Sequence, residues 1–220
     1  LAPDMAFLIE PKPALEKVRS GSVRKWIESG DYLAVTVVNW SYPGAGDVGA
    51  ARAQYESAIV NAVENIAKKR LLNVLLLPQV TVKHHGESDV DVLERIKRQL
   101  MDIGVAVEIF DEDLSPSEFS YVYGNARFLL GTRLHSCILA ACAGTPVIAI
   151  RYQGYKTEGV MGGLGLSEYV LDINDVSAVE IEERIEKILT SRAEIVSIIT
   201  ARVSEYRVQL RQIVERSLSH

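Results

Sequence analysis

Apolar residues along this chain fall into two alternating patterns. Short, nearly continuous apolar runs recur at 33–38, 74–77, 105–110, 128–130, 147–150 and 169–171. In the gaps, apolar residues return every three to four positions, at 51–69, 92–103, 117–125, 135–143 and 178–189. The first pattern predicts strands and the second amphipathic helices. Ser115-Pro116-Ser117-Glu118 adds a helix start, with an N-cap serine and a proline in the first turn. Runs such as "NVLLLP" and "VIAI" are apolar without alternation, as expected of strands covered on both faces, and strands alternating with helices imply right-handed crossovers. The pattern therefore predicts an α/β fold built on a doubly wound, mostly parallel sheet over 31–190. The tail from 181 to 218 reads as a long helix broken near Ser191. Its arginines, Arg202, Arg207, Arg211 and Arg216, stand among apolar residues, so 191–220 is expected to close the sheet or reach toward another domain. Residues 1–30, opening on Leu1 and punctuated by Pro3, Pro11 and Pro13, read as a linker or the exit from an upstream domain.

Composition narrows the class. At 220 residues, 48% hydrophobic and 24% charged, the chain can bury a sizeable core. A formal net charge of −5 argues against general attraction to nucleic acid or anionic membrane and leaves room only for a local basic pocket. No apolar run approaches the roughly 18 to 20 residues of a membrane span, and the first residues lack the features of a signal peptide, so a soluble cytoplasmic protein is the expectation. Cys137 and Cys142 are too few for a zinc set and poorly directed for a mutual disulfide, and both read as core residues.

In open parallel sheets, ligands sit beyond the carboxyl ends of the strands, against helix N-termini. Four loops at that edge have unusual content. "NWSYPGAGDVG", 39–49, is glycine-rich but lacks a dinucleotide or phosphate-loop spacing; it reads equally as backbone approaching a ligand and as a glycine turn. "PQVTVKHHGESDVD", 78–91, carries Lys83, His84, His85, Glu87, Asp89 and Asp91, yet no second pair completes a metal set, and a solvated loop is the expectation. The stretch after the run at 128–130 reads Gly131-Thr132-Arg133-Leu134-His135-Ser136, which puts Arg133 and His135 at a helix N-terminus. There the macrodipole disfavours cations by about 0.3–1 kcal/mol each, and an anion would reverse the sign. The next loop, 151–166, brings Arg151, Tyr155 and Lys156 to the same edge. From 119 to 157 there is no Asp or Glu, so the neutralising partner is expected to be a ligand seated on Thr132–Ser136; pairing with a carboxylate distant in sequence stays open as the alternative.

The segment "GTRLHSCILAACAGTPVIAIRYQGYKTEGVMGGLGL" resembles the C-terminal signature of the polysaccharide pyruvyl transferase family. It has the Arg-x-His, the small-residue helix, the Gly-x-Pro strand and the following Tyr and Lys. The resemblance implies a Rossmann-like C-terminal lobe of a GT-B-like two-lobed enzyme, with a missing N-terminal lobe upstream. It implies transfer of pyruvate as a ketal from phosphoenolpyruvate to sugar or glycan hydroxyls, lipid-linked or polymeric, with release of phosphate and with neither metal nor cofactor. Arg133 and His135 would be the donor-binding and catalytic pair, with Thr132, Leu134, Ser136, Arg151, Tyr155 and Lys156 around the substrates. One position departs from the family: an arginine expected near the end of the first strand is absent from Val35-Thr36-Val37-Val38-Asn39-Trp40, and Lys83 or a cation of the other lobe would have to substitute. Two other readings fit the same residues. One is a nucleotide-sugar glycosyltransferase, with Glu158 or Glu168 on the ribose; the other is a non-catalytic sugar- or phosphate-binding module.

Overall fold

The computed structural model describes residues 2–81 and 88–218. Six strands, β1 (Tyr32–Thr36), β2 (Asn73–Leu76), β3 (Val107–Ile109), β4 (Leu129–Gly131), β5 (Val147–Arg151) and β6 (Val170–Asp172), form one sheet in the order β3-β2-β1-β4-β5-β6. Every pairing is parallel. This is the strand order of Rossmann-type sheets. All of β1 is buried, because it lies in the middle of the sheet between two helical layers.

The helices are α1 (Gly21–Ser29), α2 (Val48–Arg70), α3 (Val90–Asp102), α4 (Pro116–Gly124), α5 (Leu134–Cys142), α6 (Lys156–Gly163), α7 (Ala178–Thr190) and α8 (Arg192–Leu218). α2 packs against α3 and α7, while α5 packs against α4 and α8, so the sheet is covered from both sides. The capping sequence at 115–118 does what its residue types predict: Ser115 and Glu118 form a capping box with Pro116 in the first turn of α4. The expected break near Ser191 falls between α7 and α8.

Two segments differ from the sequence reading. The described part of 1–30, expected as a linker, packs on the domain: Phe7, Ala14 and Val18 are buried, and α1 buries Val23 and Ile27. The Arg207 guanidinium of α8 donates to the carbonyls of Phe7 at 3.0 Å and Ile9 at 2.7 Å, which ties the opening stretch to the last helix. Prolines at 3, 11 and 13 break the periodicity of the first half, whereas α1 carries a helical signature that the linker reading passed over: Val23 and Ile27 stand four apart between the N-cap Ser20 and the left-handed Gly30. The second segment is α6, which had read as a loop because its eight residues include Gly159, Gly162 and Gly163. Packing makes it a helix: Met161 is buried, and a side chain at Gly163 would collide with Tyr206 of α8. No helix among the described residues is long and apolar enough to cross a membrane.

Candidate functional site

β1 and β4 lie side by side at the centre of the sheet, and the chain runs outward from them in opposite directions, so the loops leaving their carboxyl ends diverge and open a crevice. β4 passes into α5 through a tight turn at Gly131, where a Cβ would lie 2.8 Å from Cys137 Sγ. Arg133 is the N-cap of α5, with extended backbone, rather than a member of its first turn. The first intrahelical hydrogen bond runs from the Cys137 N–H to the Arg133 carbonyl at 3.3 Å, so the N–H groups of Leu134, His135 and Ser136 precede the helical ladder.

Hydroxyls fasten this turn to its surroundings. The Ser136 hydroxyl donates to the Arg133 carbonyl at 2.6 Å and pairs with the Thr36 hydroxyl at 2.7 Å. Thr132 pairs at 2.6 Å with the Tyr55 hydroxyl of α2, whose pKa burial pushes far up. The Thr132 N–H also donates to the Thr36 carbonyl at 3.0 Å. The side chains of Thr132 and Ser136, two residues expected at the substrate site, are thus buried and join β1, β4, α2 and α5.

The guanidinium of Arg133 meets an internal carboxylate, the alternative left open beside the expected ligand. Asp89, fully buried, accepts Nη2 of Arg133 at 2.6 Å on Oδ1 and Nε at 3.2 Å on Oδ2. The absence of acids between 119 and 157 gave no warning, because a parallel sheet brings the loop after β2 beside the loop after β4. Asp89 also contradicts the reading of 78–91 as solvated; Lys83, His84, His85 and Glu87 of that loop lie outside the described residues. Burial acts to lower the pKa of Arg133, and the hydrogen bonds and charge of Asp89 outweigh it, so the guanidinium is held more firmly protonated than usual. The ring of Tyr152, in the loop after β5, lies under the guanidinium at 5.9 Å, and Trp40, in the loop after β1, braces that ring edge-on at 5.0 Å. All four central strand-end loops therefore converge on Arg133.

A cavity of about 470 Å³ opens beside this cluster, lined by Gln79, Arg133, Leu134, His135, Tyr152 and Lys156 among others. His135 is exposed on its wall. Lys156, at the first position of α6, reaches it with a side chain 67% exposed and a 3.7 Å contact to Asp4. Of the expected residues, the structure gathers Arg133, Leu134, His135 and Lys156 here. Arg151 turns instead to Glu158, at 2.9 Å, and to Asp172. Tyr155 is 83% exposed and lines a neighbouring cavity of about 400 Å³ with Phe7 and Tyr206. Val38, at the end of the first strand run where an arginine was expected, is buried. Glu168, a candidate ribose ligand, pairs with Lys187 at 3.1 Å on the surface. The loop 39–49 holds a glycine turn, one of its two readings: the Ala45 N–H donates to the Tyr42 carbonyl at 3.1 Å across Pro43 and Gly44, whose φ is 92°, and Asp47 then caps α2 by accepting the Ala50 N–H at 3.0 Å. Asp89 and Tyr152 are the site residues that sequence reasoning missed.

Comparison with known proteins bears on this site. The family model of polysaccharide pyruvyl transferases matches residues 1–154, so that Lys156 lies just beyond the match. A 97-residue stretch is 30% identical to the amylovoran biosynthesis protein AmsJ of Erwinia amylovora and covers 44% of this chain and 23% of that protein. Among solved structures, the glycotransferase of kitacinnamycin matches with a TM-score of 0.50 at 12% identity, over 86% of this chain and 43% of that one. The N-terminal domain of a trehalose-6-phosphate phosphatase from Candida albicans matches with a TM-score of 0.50 at 12% identity, over 94% of this chain and 48% of that one. These two likenesses are of fold alone, and the chain spans less than half of either solved structure. With the family model running from the first residue through β5 and across the turn that carries Arg133 and His135, the chain belongs to the polysaccharide pyruvyl transferase family.

Proposed function

We propose that this chain carries the donor site of a transferase that moves pyruvate from phosphoenolpyruvate onto two hydroxyls of a sugar in a polysaccharide precursor, as a cyclic ketal, and releases phosphate. The observation that carries the reading is the gathering of Arg133, His135 and Lys156 around one cavity at the amino end of α5. The donor has a phosphate and a carboxylate. The N–H groups of Leu134 to Ser136 suit a phosphate oxygen, and a planar guanidinium suits a flat oxyanion. Because Asp89 already balances the charge of Arg133, that residue supplies directed donors; the positive potential comes from Lys156 and the helix end.

His135 is the candidate general acid. It delivers a proton to the methylene carbon of the enol, or to the departing phosphate, while a sugar hydroxyl attacks the oxocarbenium-like carbon. Of the two protons the hydroxyls lose, one ends on the new methyl group and one on phosphate. The acceptor side of the cleft is assigned to a second lobe in the longer protein.

The test uses the full-length protein with phosphoenolpyruvate and candidate acceptor glycans, following phosphate release. His135→Ala is expected to lower the rate by about 10²- to 10⁴-fold; near-normal turnover would remove His135 from the chemistry. Phosphoenolpyruvate at about 100 times its dissociation constant is expected to stabilise the fold by about 2.7 kcal/mol. A rise in melting temperature with a UDP-sugar instead would favour the glycosyltransferase reading. Binding of phosphoenolpyruvate with no phosphate release under any acceptor would favour a binding module.

A further inference from the structure

We infer that Asp89 is the positioning residue of the site: its carboxylate sets the plane and direction of the Arg133 guanidinium at the cavity wall. The inference rests on the donor reading only for its effect on binding; the geometry stands without it. Asp89 is fully buried, and a carboxylate is tolerated there only if its lone pairs are filled. They are filled from two sides. Oδ2 accepts the backbone N–H groups of Gln79 at 3.2 Å and Val80 at 3.0 Å, and the Asp89 N–H donates back to the Val80 carbonyl at 2.9 Å. The remaining side faces Arg133, whose Nε and Nη2 close a two-pronged contact. The carboxylate cannot swing, since the two N–H groups of the chain hold it, and so it acts as a fixed template for the guanidinium edge.

A flexible arginine side chain has several rotamers open to it at a helix N-cap, and each donor hydrogen bond it makes to a ligand must offset their loss. Here one edge is held by Asp89 and one face by Tyr152, so the side chain is oriented before a ligand arrives. Asparagine is a poor replacement. Whichever way its amide turns, an NH₂ group faces either the guanidinium or the backbone N–H groups, donor against donor. Glutamate keeps the charge but displaces it by one methylene, so it restores the pairing only in part.

The experiment has a readout that does not need activity. In a ¹⁵N-labelled full chain, the Nε–H signal of Arg133, assigned by its loss in Arg133→Lys, is expected to exchange with water roughly tenfold more slowly than that of the exposed Arg98. Exchange as fast as at Arg98 would overturn the inference. In folded Asp89→Asn the same signal is expected to lose its protection. The KM for phosphoenolpyruvate is expected to rise by roughly tenfold or more, with a smaller change in kcat and with partial recovery in Asp89→Glu. An unchanged KM in a folded Asp89→Asn would overturn it as well. If Asp89→Asn does not fold, the exchange rate in the unaltered chain decides. A wild-type protein that releases no phosphate from phosphoenolpyruvate would sink the donor reading and leave the positioning role to be judged by exchange alone.

Discussion

Gly131 shows how closely single residues are fitted around the site. It ends β4 with Cys137 Sγ 2.8 Å and the Leu129 side chain 3.2 Å from where a Cβ would stand, all of them buried. Gly131→Ala is therefore expected to cost about 1–3 kcal/mol in denaturant unfolding, since the turn must shift to relieve the overlap. Because Arg133 and His135 stand in the same turn, the same change should weaken the phosphoenolpyruvate binding proposed for it. Gly159 on α6 makes the opposite case: nothing lies within 4 Å of its Cβ position, and Gly159→Ala should stabilise by about 0.5–1 kcal/mol. Arg133 and His135 were legible because two cationic residue types at a strand-to-helix junction are locally unfavourable and need a reason. Asp89 was not legible, because 44 positions separate it from its partner and nothing in its own loop distinguishes it from a solvated acid.

At the scale of elements, α4 was readable to within a residue because proline, serine and glutamate each act locally. Its cap also makes a testable link to pH. Glu118 is held at about 2, first by its contact with Lys17 at 2.7 Å and then by the N–H and hydroxyl of Ser115. A carboxyl held below its unfolded value contributes stability above that value and loses it as pH falls through the folded one. The stability gap between the wild type and Glu118→Gln is therefore expected to be constant above pH ~5 and to close between pH ~4 and ~2, as read from melting temperatures at each pH. A gap that persisted unchanged at pH 2 would show that the capping geometry matters and the charge does not. The helix α6 was illegible for a related reason: glycines have the wrong intrinsic preference, and only the close approach of Tyr206 and the burial of Met161 select a helix there.

For the molecule as a whole, the coupling of its two ends is the feature with the widest consequence. Arg207 of α8 reaches the carbonyls of Phe7, Ile9 and Cys142, and the Cys142 thiol lies 3.6 Å from the Ala6 carbonyl, so the opening stretch, α5 and α8 share one seam. Burial pushes the Cys137 thiol up to about 12 and the Cys142 thiol up to about 11, and neither is expected to react with a disulfide reagent at pH 8 until the chain unfolds. Arg207→Ala should cost about 1.5–3 kcal/mol and make Cys142 reactive in the folded chain while Cys137 stays silent. Equal reactivity of both thiols in that variant would mean that the seam is not a separate unit and that the whole domain opens at once.

Periodicity alone determined the architecture here. Alternating apolar runs and helical stripes favour a parallel sheet covered by helices, and crossover handedness then leaves few topologies. Residue chemistry at one junction also singled out Arg133 and His135, which the structure gathers on the wall of one cavity. Tertiary structure alone decided which charges meet, because pairing across strand-end loops depends on strand order, and strand order is not written in any local stretch. That is why the carboxylate of Asp89 turned out to face Arg133, and why Arg151 was drawn away to Glu158 and Asp172.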